Sequence, residues 1–296
     1  MKQSDFVVAV ILGAAIVLAV QYFQPPEPPQ PVTDVPDDNA QAPVREAPPP
    51  EIRYPLPEPP AQVVPPSPAP VEAGPGAELA GPPAPQQEPL EANEPPAPEH
   101  PLPALDDSDD QVRKDLYGLA AKPVLDTLLN LNHIIRRFVV TVDNLPRRQL
   151  ANSKYRSNQA VPGRFTVEQD DLGIYLGEQN FARYTPFVRL LESLESQRVL
   201  AFYAQYYPLV QTAYEELGYP SAYFNDRLID VIDHLLETPE TGGRIALVRP
   251  RVLYLYVDPE LEGLSAGQKV LIRMGPRNAA RVKSKLRELR RALAGN

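Results

Sequence analysis

Four acidic side chains stand close together in the second half of this chain: Asp226, Asp230, Asp233 and Glu237. At ~100° per residue in a helix they fall within about 60° of one another. Leu228, Ile229, Ile232, Leu235 and Leu236 take the opposite arc. Carboxylates one helical turn apart repel by a few tenths of a kcal/mol, roughly, per pair, so something must offset them. Solvent would do so, as would arginines of the same domain. A hard cation flanked by His234 is the third option, but a rigid one-helix spacing without an Asp-rich loop does not resemble a calcium loop, and no metal is expected. Just upstream the aromatics crowd: Tyr203, Tyr206, Tyr207, Tyr214, Tyr219, Tyr223 and Phe224. Tyrosine buries a ring and keeps a hydroxyl available. Beside Asn225, Asp226 and Arg227 these rings could line a groove for a glycan or a peptide, with plain core packing as the simpler reading. The candidate ligand-binding set is therefore Tyr219, Tyr223, Asn225, Asp226, Arg227, Asp230 and His234.

Catalytic signals are weak. His133 stands with Arg136 and Arg137 on a core-forming helical pattern, where a surface or hydrogen-bonded histidine is the plainer reading than a general base. Two carboxylates could serve a glycosidase, yet nothing marks one pair as special. No nucleophile elbow, S-x-x-K, H-E-x-x-H or phosphate loop occurs. The chain has no cysteine, which excludes disulfides, thiolate metal sites and a cysteine nucleophile together. No catalytic residue and no cofactor is expected.

The elements that must position these groups read mostly as helices. Ser108–Gln111 has the capping-box pattern and predicts a helix to about Ala121. Pro123 suits a first helical turn. Leu128, Leu131, Ile135, Phe138 and Val142 then recur at helical spacing and predict one core helix ending near Asn144-Leu145-Pro146. Arg147 to Gly163 lacks periodicity and reads as loop. Arg164–Glu168 and Gly173–Gly177 predict a short hairpin. Thr185-Pro186 opens another helix, and Ser196 opens a longer one through Leu217, broken or kinked at Pro208. Asn225 is expected to cap a helix over 226–237. Residues 244–257 read either as a strand pair or as an extended segment. Ser265–Gln268 forms a second capping box, and Gly275-Pro276 separates that helix from a basic last one running to about Leu293. The last helix carries Arg277, Arg281, Lys285, Arg287, Arg290 and Arg291 around a seam of Val282, Leu286 and Leu289. It could dock on the acidic stripe, or face outward to anionic lipid, lipopolysaccharide or an acidic partner.

Of 38 prolines, 28 lie between Gln24 and Asp110. That stretch has 2 basic and 17 acidic residues and too little apolar surface to fold. The rest, Gln111 to Asn296, has 26 basic and 20 acidic residues. The formal net charge of -9 thus averages an acidic tether and a mildly basic domain, whose excess is too small to argue for nucleic acid. The tether is prone to polyproline geometry, with an upper reach of ~250 Å for its 82 residues. PxxP-like pieces such as Pro55 to Pro60 could dock in an aromatic groove, although a solvated spacer is the favoured reading.

Phe6 to Phe23 reads FVVAVILGAAIVLAVQYF. At 1.5 Å per residue it covers ~27 Å, close to a bilayer core. Lys2 and the α-amino group precede it, and the next basic residue is Arg45. The positive-inside bias puts residues 1–5 in the cytoplasm and everything after Gln24 outside. An uncleaved signal anchor is expected, because the apolar stretch is long and no clear A-x-A site follows.

The runs Phe138–Pro146, Tyr219–Arg227, Val231–Pro239 and Leu264–Gly275 resemble a bacterial family known only as domain of unknown function 3014. The resemblance covers roughly Leu105 to Leu293. It implies the same layout of one membrane span, a proline-rich linker and this domain, and it brings no activity or catalytic residue with it. The expected architecture is mainly α: a transmembrane helix over 6–23, a disordered linker over 24–105, and a helical domain over 106–296 with a minor β-hairpin. The expected function is an interaction or scaffold module on the periplasmic face of the bacterial inner membrane, partnering an envelope protein or the cell wall. The alternative is an envelope hydrolase, or a glycan- or peptide-binding domain, using Tyr219 to His234. The oligomeric state stays open; Ala9 and Gly13 make only a weak dimerisation pair.

Overall fold

The computed structural model describes residues 51–56 and 102–295. The expected span Phe6–Phe23 and most of the tether lie outside the described residues. No described helix is long and apolar enough to cross a membrane. Pro60–Leu102 is a separate unit of which only Leu102 is described.

A turn of 3-10 helix, Leu105–Asp107, leads into α1, Asp109–Tyr117. The capping box expected here does not form. Ser108 is helical in its backbone and its hydroxyl donates to the Leu105 carbonyl. Asp109 instead caps a different helix, accepting the N–H groups of His133 at 2.5 Å and Ile134 at 2.8 Å. The core helix expected from Val124 to Asn144 is two helices, α2 (Lys122–Leu128) and α3 (Ile134–Asn144). Asn130 causes the break. Its side chain donates to the carbonyls of Arg156 and Asn158, and its N–H to that of Ser157. Asparagine offers the backbone a local alternative to the helix ladder, and here the ladder yields. His133 then turns the chain at φ 48°, exposed at the head of α3 rather than within a helix.

The hairpin forms with its turn moved toward the C-terminus: β1 is Val167–Asp170 and β2 is Gly173–Leu176. Helix α4 spans Gln179–Ser193, starting six residues before the expected Thr185, so Pro186 lies inside it. Helix α5 is continuous from Ser196 to Glu216 over Pro208. Helix α6 covers Phe224–Leu236. The ambiguous segment resolves into a strand pair, β3 (Ala246–Val248) and β4 (Leu255–Tyr256), which extends the hairpin into one antiparallel sheet ordered β1-β2-β3-β4. A short α7 (Pro259–Gly263) precedes α8 (Ala266–Arg273), whose Ser265–Gln268 capping box forms in both directions. Helix α9 runs Pro276–Leu293.

Helices α3, α5, α6 and α9 pack on one another around a core dominated by aromatics. Phe138 of α3 meets Phe224 of α6 edge to face, with centroids 5.6 Å apart. Along α5 the buried residues Val199, Phe202, Tyr203, Tyr206, Val210 and Ala213 repeat every three or four positions, the spacing that puts one helix face on the core. The narrow seam of α9, Val282, Leu286 and Leu289, is fully buried as its periodicity predicts. The sheet seats Leu176, Leu247 and Tyr256 against Ile272 of α8. The domain is thus mainly helical with a small four-stranded sheet, and the head of α6 lies at its surface beside α5.

Candidate functional site

Helix α6 begins without a side-chain cap of its own. Asn225, expected to be the cap, is the second helical residue. The orphan N–H groups are taken from α5 instead: Gln211 Oε1 accepts from Phe224 at 3.0 Å, and the Tyr207 hydroxyl accepts from Asn225 at 3.4 Å. This frees the Asn225 carboxamide and the Asp226 carboxylate for other work. Burial pushes the Tyr207 hydroxyl pKa up, and the Tyr223 hydroxyl adds to that shift, so the group stays a neutral hydrogen-bonding element.

The groups so freed hold a piece of the tether. Asp226 accepts two consecutive main-chain N–H groups, from Arg53 at 3.0 Å and Tyr54 at 2.8 Å. Asn225 Nδ2 donates to the Tyr54 carbonyl at 2.9 Å. The Tyr223 hydroxyl accepts from the Leu56 N–H at 3.1 Å. The Arg53 guanidinium bonds Asp230 at 2.7 Å. Consecutive N–H groups of a straight extended chain point to opposite sides, and the segment bends at Arg53-Tyr54, which turns both toward one carboxylate. A cleft of about 200 Å³ lies alongside, walled by Glu51, Arg53, Tyr214, Ala222, Tyr223, Asp226, Arg227 and Asp230. Its floor is aromatic: Tyr207 packs on Tyr223 at 5.3 Å, and Tyr214 stacks on Tyr219 at 4.6 Å. Burial raises the Tyr214 pKa to about 12.

The acidic stripe is thus offset from two sides. Asp226 and Asp230 face the tether. Asp233 takes a two-pronged bond from Arg290 of α9, at 2.7 and 3.0 Å. Asp233 is the main cause of Arg290's raised pKa, and Tyr54 adds to it. Glu237 is exposed. Arginines within the domain were one expected answer, but an arginine from the tether was not foreseen. No group of three or more metal-ligating side chains occurs among the described residues.

The expected site residues part company here. Tyr223, Asn225, Asp226 and Asp230 converge on the tether. Arg227 walls the cleft, but its guanidinium goes to Asp143, with Nε bonding the carboxylate at 3.1 Å and Nη2 the Asp143 carbonyl at 2.9 Å. Asp143 is 1% exposed and also takes Arg147 at 2.5 Å. Tyr219 belongs to this second cluster, accepting from Arg147 at 3.1 Å and lying 3.4 Å from Asp143. His234 faces away from the groove, toward the head of α8. Its Nε2 lies 2.9 Å from the Ser265 hydroxyl, and its carbonyl accepts from Gln268 at 3.1 Å. Burial lowers its pKa.

Sequence reasoning missed Asp143 and Glu51–Tyr54; it had named Pro55 to Pro60 as a piece that could dock, with a solvated spacer favoured, and of that piece only Pro55 and Leu56 are among the described residues. Asp143 carried no signal beyond one acid on an apolar helix. The segment did carry one: Tyr54 is the only aromatic residue between Gln24 and Asp110, and Arg53 one of only two basic residues there.

A family model described as "Protein of unknown function (DUF3014)" matches residues 134–290, more than half of the chain. The match takes in every domain residue that holds the tether segment. No curated protein and no solved structure matches the chain.

Proposed function

The chain belongs to the DUF3014 family, and from that premise and the geometry at the head of α6 we propose that it is a membrane-anchored interaction scaffold whose groove binds peptide. The observation that carries this reading is the main-chain recognition of Glu51–Leu56. Three N–H groups and one carbonyl of the bent segment are bonded by domain side chains. Main-chain bonds supply affinity, and side-chain contacts such as Arg53 to Asp230 supply selectivity; this division of labour is common in peptide-recognition sites. The same contacts weigh against the hydrolase alternative, since Asp226 and Asp230 are held by N–H and guanidinium groups.

The setting follows from the sequence. Phe6–Phe23 is the single anchor, residues 1–5 are cytoplasmic, and the domain works in the periplasm on its tether. A reporter active only after export, fused to the C-terminus, is expected to be active; silence would overturn this placement. For the groove, a photoreactive residue at Ala222, on the cleft wall, is expected to capture a polypeptide in living cells, and the capture is expected to fall with Asp226→Asn. Loss of cell-wall turnover in Asp226→Asn with folding intact would instead support the hydrolase.

A further inference from the structure

The groove is already full, and its occupant is tied to the same chain. We propose that Glu51–Leu56 is a built-in competitor, and that the external ligand is a peptide of the same chemistry: a basic residue, an aromatic residue, proline, then an apolar residue. This rests on the peptide-binding reading above and adds the ligand's class and its competition with the tether.

Each position of that pattern has a reason. The first two residues must bring consecutive N–H groups to Asp226, so neither can be proline. The first side chain must be basic, because it meets Asp226 and Asp230 together, at 3.9 and 2.7 Å. The second lies half-buried, with its ring 5.7 Å from the Arg53 guanidinium. Proline third leaves no N–H to be orphaned and narrows the free peptide's conformations, which reduces the entropy lost on docking. The N–H of the fourth residue is read by Tyr223. One further observation points to a ligand here. Asn225 is fully buried, yet its Oδ1 has no hydrogen-bond partner among the described residues. An acceptor left in this way is costly, and a ligand that supplies one more donor would gain over the tether segment.

Competition follows from connectivity. Leu56 and Leu105 are joined by about 48 residues, long enough to reach the groove without strain and short enough to hold the segment at an effective concentration on the order of 1 mM. A second copy of the chain, at micromolar concentration, therefore loses to the tether in cis. A partner peptide must bind more tightly than Glu51–Leu56 or be locally concentrated.

The test uses the full chain in detergent micelles and a fluorescent synthetic peptide with the sequence of residues 50–60. In one variant Arg53→Pro and Tyr54→Pro remove both N–H groups that Asp226 accepts, together with the Arg53 guanidinium, and so empty the groove from the tether side, leaving the domain's own residues unaltered. The peptide is expected to bind this opened chain roughly 10–100-fold more tightly than the unaltered chain, the ratio set by effective concentration over Kd. Adding Asp226→Asn to the opened chain is expected to weaken binding by about tenfold or more, since an amide N–H would face a peptide N–H. Tyr223→Phe, which removes only the Leu56 contact, is expected to weaken it less. Equal affinity for opened and unaltered chains would overturn the competition while leaving the peptide-binding reading intact. Binding to neither would overturn both.

Discussion

Asp143 is the most heavily engaged carboxylate in the domain, and it touches none of the tether. Its carboxylate is buried beneath Arg147 and Arg227, so removing it takes the partner from both guanidinium groups. Asp143→Ala is expected to cost roughly 1–3 kcal/mol, the cost of lost hydrogen bonds, because the Arg147 and Arg227 side chains keep access to water at 53% and 29% exposure, measured as a lowered urea midpoint with unchanged slope. Asp143→Asn keeps the shape and is expected to cost less. His234 gives a second test at this scale. Its pKa is held below the ordinary 6.5 by burial, against the Ser265 hydroxyl. The unfolded chain therefore binds the proton more readily than the folded one. Its contribution to stability is full above pH 6.5 and is lost as the pH falls through the depressed folded value. Stability measured between pH 7 and 5 is expected to decline, and His234→Gln to flatten that slope. An unchanged slope would show that other groups set it.

At the scale of elements, the junction of α8 and α9 is the tightest point. Gly275 has φ 80°, and a Cβ there would lie 2.4 Å from the Phe181 ring. Both the left-handed backbone and the ring forbid a side chain, so Gly275→Ala is expected to cost roughly 1–3 kcal/mol by thermal unfolding. The consequence reaches the groove, because this junction aims α9 along α4 and α6 and so places Arg290 on Asp233. Arg290→Ala is expected to cost only about 0.2–1 kcal/mol, since the pair is a third or more exposed. Element boundaries show which local signals held. The Ser265–Gln268 box and the seam of α9 are satisfied by residues three and four apart, and both form as read. The Ser108 box failed because Asp109 is drawn to the N-terminus of α3, 24 residues away. Asn225 failed as a cap because α5 had already supplied the acceptors.

At the scale of the whole molecule, the proposed anchor and the proposed competition together make occupancy of the groove a control on how far the domain stands from a membrane. With Glu51–Leu56 docked, about 27 residues separate the expected span from the groove, an upper reach of ~84 Å at ~3.1 Å per residue. Released, about 82 residues precede the domain, an upper reach of ~250 Å. Arg53→Pro with Tyr54→Pro, which removes both N–H groups that Asp226 accepts, is expected to lower energy transfer between labelled lipid headgroups and a dye on a cysteine placed at Asn296. That cysteine would be unique in the chain. Unchanged transfer would show that docking does not govern reach.

By itself the sequence determined a mainly helical domain, its hairpin, its basic last helix and the acidic stripe on α6. These rest on periodicities of two to four residues, which any stretch of chain displays without knowing its neighbours. Only the tertiary structure decided what meets the stripe. The tether groups that meet Asp226 and Asp230 come from 173 and 177 residues away, and the Arg227 that joins Arg147 on Asp143 from 84. No local pattern encodes a partner at that separation, because the pairing is chosen by packing, after the helices have formed.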